Sequence, residues 1–241
     1  MIRRIAVSVL LLTLAAPASA EEIRGAWTAD ATDRKPGRIH LQMSRAHNNF
    51  GQTMDIASLS GLSEAQIRSA TQVPVTFALR REAGTLAYRG TFEAGFGAGQ
   101  FTFTPNESYL ETVRALGVDI SPRKTKHIGK PIDERLMQFA IQDVSTTYIR
   151  AMQAVGYRGS LDQYLEFRIF KVTPELVTEL RSLGYRDVAA DDLVASQIHR
   201  VTPQYIRELR DAGYTNIPVN KLIEMRIHGV DGIFVRKMNG M

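Results

Sequence analysis

The segment from Val172 to Tyr185, VTPELVTELRSLGY, returns 29 residues later, from Val201 to Tyr214, as VTPQYIRELRDAGY. A weaker copy runs from Val144 to Tyr157, a partial one starts at Val230, and a more distant first copy spans Asn106 to Val118. Repetition at this period marks units that cannot hide their own apolar face and must stack on their neighbours. It constrains the fold more than any other feature of the chain.

The physics of one unit is legible. Thr173 and Thr202 stand before Pro174 and Pro203 at the start of an apolar pattern. A threonine cap accepts an unpaired backbone N–H, and proline in the first turn gives up only an N–H that had no partner. Apolar residues then recur at helical spacing, as Leu176, Val177, Leu180 and Leu183 and as Tyr205, Ile206, Leu209 and Ala212. Gly156, Gly184 and Gly213 end these helices in the left-handed conformation, and Tyr157, Tyr185 and Tyr214 follow, placed to fold back on the last turn.

A second helix follows each first one. Its apolar positions are Leu136, Tyr164, Leu193 and Leu222, then Ile141, Ile169, Ile198 and Ile227, and Ser160 is the cap of the copy holding Tyr164. A helix of about ten residues is marginal in water on its own, so these pairs stack, either as a short solenoid or as a compact bundle. In the last unit Asp231 replaces the threonine cap, and Val230, Ile233, Phe234, Val235 and Met238 form a first helix. It either lids the stack or leaves an apolar edge for a partner.

Before residue 105 the period is two. Ile39, Leu41 and Met43 alternate with polar residues, and Val73, Val75, Phe77 and Leu79 share a face, as do Leu86, Tyr88, Gly90 and Phe92. Such alternation suits a sheet with one buried face. Glu82-Ala83-Gly84 reads as a hairpin turn, Ser63 with Gln66 as a capping box, Ala46 to Gln52 as loop, and Gly95 to Gly99 as a glycine-rich turn. The expected fold is therefore α+β: a small antiparallel β domain over 21–104, a sandwich or roll, then helical repeats over 105–241. The units fall near 106–143, 144–171, 172–200 and 201–229, with a partial unit at 230–241.

The chain opens with Arg3-Arg4, an apolar run from Ile5 to Ala15, and Ala18-Ser19-Ala20. This is the form of a secretory signal peptide over residues 1–20, cut near Ala20-Glu21. Its apolar run is shorter than the ~20 residues of a membrane span. The expected location is the periplasm or the medium, with no transmembrane segment in the mature chain. There are no cysteines, so no disulfide contributes. The formal charge of +5 includes Arg3 and Arg4; without them 28 basic residues face 25 acidic ones, or +3. Nucleic acid fits that balance and that compartment poorly.

No coherent catalytic motif emerges. HExxH is absent. Ser121-Pro122-Arg123-Lys124 spells SxxK without its partner motifs. His199 and His228 share a repeat position at the end of second helices, where a cation suits the helix dipole better than a metal pair. His40 points outward from a strand, and Asp191 and Asp192 open a second helix. No metal or cofactor is expected. The concentrated charge is the loop of Arg123, Lys124, Lys126 and Lys130, which offers a contact for anionic lipid, a glycan or an acidic protein. Arg150, Arg207 and Arg236 occupy equivalent places on the helical exterior, and together with that loop they form the expected binding surface. Two columns vary between units, Gln153/Ser182/Asp211 and Arg168/Gln197/Arg226, and variation marks them as ligand candidates.

The pattern VTPxYIRELRxLGY, followed by a helix ending Arg226-Ile227-His228-Gly229-Val230, resembles a repeat of exported bacterial proteins. The same repeat occurs behind the membrane-embedded metallopeptidase of BlaR/MecR-like sensors. Val172 to His199 and Val201 to Gly229 carry the likeness most clearly. The β region resembles segments that precede such repeats, from Trp27 through Lys35-Pro36-Gly37-Arg38 to the stretch from Gly97 to Pro105. The peptidase itself is missing, so no protease residue transfers. The resemblance implies an envelope protein, a sensing or regulatory accessory.

These readings converge on a non-enzymatic binding or regulatory module that recognises a protein partner in the envelope. One alternative is a structural, oligomer-forming protein. The other is a hydrolase with a site at the domain junction involving His47, Asp55 or the basic loop.

Overall fold

The computed structural model describes residues 22–31, 35–45, 48–122 and 132–238, without the side chains of 48 and 236–238. Seven strands precede the helical region: β1 (Ile23–Asp30), β2 (Arg38–Arg45), β3 (Asn48–Asp55), β4 (Leu59–Ser60), β5 (Val73–Arg81), β6 (Gly84–Glu93) and β7 (Phe96–Pro105). They form one antiparallel sheet in the order β3-β2-β1-β7-β6-β5-β4. β3 and β4 sit at opposite margins, yet only the 3-10 turn Ile56–Ser58 joins them. A flat sheet of this width would separate its margins by roughly 29 Å. The connecting residues reach about 14 Å at most. The sheet must therefore curl, and it forms a half-barrel. It is thus a single curled sheet, not a sandwich of two.

Two local expectations are corrected. Ala46 to Gln52 was expected to be loop, but Asn48–Asp55 is a full strand paired with β2 in unbroken register. Its polar composition hid it: one face is covered only in part, so no alternation shows. Gly95 to Gly99 was expected to be a turn, but only Gly95 lies in the turn, and Gly97 and Gly99 belong to β7. Gly90 and Gly99 face each other across β6 and β7. A Cβ on Gly90 would lie 2.7 Å from Trp27 Cζ2, and one on Gly99 would lie 2.0 Å from the Arg89 carbonyl oxygen. The glycines open a notch through which the buried Trp27 indole donates to the Arg89 and Gln100 carbonyls at 3.2 and 3.1 Å. Phe77 meets that indole edge-on, with ring centres 5.3 Å apart.

A short helix, α1 (Glu64–Ile67), carries the expected capping box of Ser63 and Gln66. Then follow α2 (Ser108–Ala115) and α3 (Ile132–Ile141). α3 lies against β5, β6 and β7 and buries Leu136, Met137, Phe139 and Ala140. Ion pairs pin the two halves together, Arg45 to Glu134 at 2.8 Å and Arg81 to Asp143 at 3.0 Å. Glu82, in the β5–β6 turn, accepts from the Thr146 backbone N–H at 2.9 Å. One continuous apolar core runs from the sheet into the repeats.

The remaining helices alternate as first and second members of each unit: α4 (Thr146–Ala154), α5 (Leu161–Ile169), α6 (Pro174–Ser182), α7 (Ala190–Ile198), α8 (Pro203–Asp211), α9 (Val219–Ile227) and α10 (Gly232–Met238). Ser145, Ser160, Thr173 and Thr202 cap their helices through side-chain oxygens, and Asp231 accepts from the Phe234 N–H at 2.8 Å. Gly156, Gly184 and Gly213 adopt φ of 85°, 92° and 90°. Like stacks on like: α6 on α8, α8 on α10, α7 on α9. That is the solenoid arrangement of the two considered. Leu180 and Leu209 are buried, as stacking requires.

Candidate functional site

The units are stitched by tyrosines that reach forward. Tyr109, Tyr148 and Tyr205 donate their hydroxyls to the carbonyls of Val144, Val172 and Val230 at 2.6, 2.7 and 2.8 Å. A second set starts after the helix-ending glycines. Tyr185 donates to the Ile217 carbonyl at 2.8 Å, and Tyr157 to that of Val188. The backbone N–H of Tyr185 does close the preceding turn, onto Leu180. Its side chain does the opposite of the expected folding back, because a hydroxyl half-buried beside the next unit finds its acceptor there. Burial pushes the hydroxyls of Tyr109, Tyr148, Tyr157, Tyr185 and Tyr205 above the usual tyrosine value.

This stitching reassigns a column expected to be variable for the sake of a ligand. The Arg168 guanidinium lies 5.1 Å from the centre of the Tyr148 ring and donates from Nε to the Gln142 carbonyl at 2.7 Å. Arg226 lies 4.8 Å from the Tyr205 ring centre and donates to the His199 carbonyl at 3.3 Å. Between them stand Leu176 and Gln197, where the unit has neither tyrosine nor arginine. The column varies with its stacking partner. Of the other variable column, Gln153 is also spent on structure, donating to the Leu116 carbonyl at 3.1 Å.

The expected basic surface is only partly visible. Arg123, Lys124, Lys126 and Lys130 lie outside the described residues, as does His47, and the Arg236 side chain is not described. Arg150 is exposed on α4. Arg207 pairs with Glu179 of the preceding unit at 2.9 Å, an exposed contact worth ~0–1 kcal/mol. Asp55 is paired with Arg38 at 3.2 Å. Among the described residues no group of three His, Cys, Asp or Glu side chains converges as a metal site, and no helix is long and apolar enough to cross a membrane.

The structure adds two features. The first is the exposure of the isoleucines expected as apolar positions of the second helices. Ile141 is buried on α3, against the sheet, but Ile169, Ile198 and Ile227 are 48%, 51% and 56% exposed at the ends of α5, α7 and α9. Only the isoleucine of the helix packed against the sheet is core; the other three are half-exposed. The second is a cleft of 690 Å³ between β2 and β3 on one side and the α5–α6 junction on the other. Arg38, His40, Gln52, Arg168, Ile169 and Lys171 line it. The His40 ring lies over Gly51, where a Cβ would come within 3.2 Å of Nε2, and its Nδ1 is 3.1 Å from Thr53 Oγ1. Ile169 belongs to both features. No sequence signal could unite β2, β3 and α5, but the recurrence of isoleucine before Phe170, His199 and His228 was visible.

Compared with known proteins, the chain matches no family model, no curated protein and no solved structure.

Proposed function

We propose that this chain is an exported binding module that recognises another protein in the cell envelope. The observation that carries the reading is the recurrence of exposed isoleucine at Ile169, Ile198 and Ile227, the first of which lines the junction cleft. A monomer has no packing reason to repeat a half-exposed isoleucine at the end of the second helix in three successive units, whereas a recognition surface gains from apolar anchors at regular spacing. The likeness of the repeats to those of BlaR/MecR-like sensors adds a regulatory role to this reading.

Photo-crosslinking in intact cells tests it. A crosslinker at Ile198 should give discrete adducts with one envelope protein, and one at the exposed Glu111 on α2 should give none. Adducts absent at Ile198, or equal at both positions, would overturn the reading.

A second reading, self-association, rests on Tyr214, Ile233 and Phe234, which are exposed on the last described units. Light scattering showing a monomer at all concentrations would remove it.

A further inference from the structure

The junction cleft carries an excess of positive charge. Arg38 and His40 line it from β2, Arg168 and Lys171 from the α5–α6 junction, and no carboxylate among the described residues lines it. Asp55 pairs with Arg38 at 3.2 Å, and Asp143 is divided between Arg81 at 3.0 Å and Arg168 at 3.6 Å. Three arginines thus share two carboxylates. Lys171, exposed just past α5, has no ion pair among the described residues. Glu175, at the start of α6, commits its carboxylate to its own backbone N–H and to the Thr173 side chain.

Polar atoms at the same place lack partners. Arg38 Nε and Gln52 Oε1 are buried without a hydrogen bond among the described residues, and both side chains belong to residues lining the cleft. The other Arg38 nitrogens are engaged, one by Asp55 and one by the Thr53 carbonyl at 3.3 Å. A buried donor and a buried acceptor left open each destabilise the fold, and an apolar side chain of the same shape would not. Their retention at one cleft therefore points to a ligand that completes them. Arg38 Nε and Lys171 require an acceptor that carries negative charge. Gln52 Oε1 requires a donor, such as a hydroxyl. Ile169 adds an apolar contact, and the volume of 690 Å³ falls in the range of small-molecule sites, roughly 300–1,000 Å³.

We infer that the cleft binds a small hydroxylated anion, a carboxylate or phosphate with neighbouring hydroxyl groups. Its charge rests on Lys171 and Arg38, and one of its hydroxyls donates to Gln52. This site goes beyond the recognition of a protein partner and does not depend on it.

Calorimetric titration of the exported chain, 21–241, with glucuronate, glucose 6-phosphate, glucose and inorganic phosphate tests it. At least one of the two sugar anions should bind about tenfold or more tightly than both glucose and inorganic phosphate. Which of the two binds better tells carboxylate from phosphate. Lys171→Asn removes the charge and keeps a residue that tolerates the φ of 59° there; it should weaken the bound anion by about tenfold. Gln52→Leu removes the open acceptor at similar size. It should weaken binding by about tenfold while the thermal midpoint of the unliganded chain holds or rises. A merely structural Gln52 would lower that midpoint and leave affinity alone. Absence of binding by both sugar anions at millimolar concentration would overturn the site. So would glucose or inorganic phosphate binding as tightly as the better anion, or affinity unmoved by either substitution. Crosslinking at Ile198 is read separately, so the failure of one reading is distinct from the failure of the other.

Discussion

Arg226 lies over the ring of Tyr205, 4.8 Å from its centre, while its Nε holds the carbonyl of His199 from the preceding unit. Arg168 and Tyr148 do the same one place removed, with the Gln142 carbonyl as acceptor. In the intervening unit both members are replaced, by Leu176 and Gln197. The pair is therefore a unit of stacking, present or absent together.

Installing it where it is missing should be cooperative. Leu176→Tyr with Gln197→Arg should be more stable than the sum of the single substitutions by about 0.5–1 kcal/mol, the size of an exposed cation–aromatic contact. A double-mutant cycle in urea measures this, and strict additivity would refute the pairing.

The forward hydroxyl bonds should each matter. Tyr148→Phe removes the donor to the buried Val172 carbonyl, 2.7 Å away, and keeps the ring. A loss of about 1–2 kcal/mol is expected, because the orphaned carbonyl costs more than the bond alone contributes. Chemical denaturation of the two chains at the same pH is the measurement.

The notch over Trp27 should not tolerate a methyl group. Gly99→Ala brings a Cβ to 2.0 Å from the Arg89 carbonyl oxygen, a backbone atom in a paired strand. Destabilisation of about 3 kcal/mol, with a shift in Trp27 fluorescence, is expected. Unchanged stability would mean that the β6–β7 register differs from that described.

Buried and half-exposed apolar positions of the repeat should separate cleanly. Leu209→Ala empties a buried site and should cost about 2–5 kcal/mol. Ile198→Ala, at a position 51% exposed, should change stability by about 0.5 kcal/mol or less while weakening partner capture. Thermal melts and crosslinking yield read the two effects independently.

Alkaline pH should loosen the stack. Burial raises the folded-state values of Tyr109, Tyr148, Tyr157, Tyr185 and Tyr205 above the unfolded value of about 10. Above that pH the unfolded chain has released protons that the folded chain still holds, so stability falls as pH rises toward the folded-state values. Below about pH 10 these hydroxyls are protonated in both states and their contribution is intact. Tyrosinate absorbance should therefore rise together with unfolding; ionisation of these groups near pH 10 without unfolding would contradict it.

The helical half was readable because its determinants are local. Thr173, Pro174 and Gly184 act on atoms within one turn, and the 29-residue return of the pattern implied stacking before any coordinates. The isoleucine column was misread for a related reason. Periodicity tells which residues share a face, but exposure depends on whether a neighbour covers that face, and of the four only Ile141, on the helix packed against the sheet, is buried.

What this sequence determined unaided is the grammar of each element: caps, stops, apolar stripes, and the change of period near residue 105. Each depends on interactions spanning a few residues, which the order of side chains specifies directly. The tertiary structure alone decided that the sheet curls, that the glycines of β6 and β7 serve Trp27, and that β3, α5 and α6 enclose a cleft. Those depend on chain segments remote in sequence meeting in space, as Trp27 and Gly90 or Gln52 and Ile169 do, and nothing local in either segment records the other.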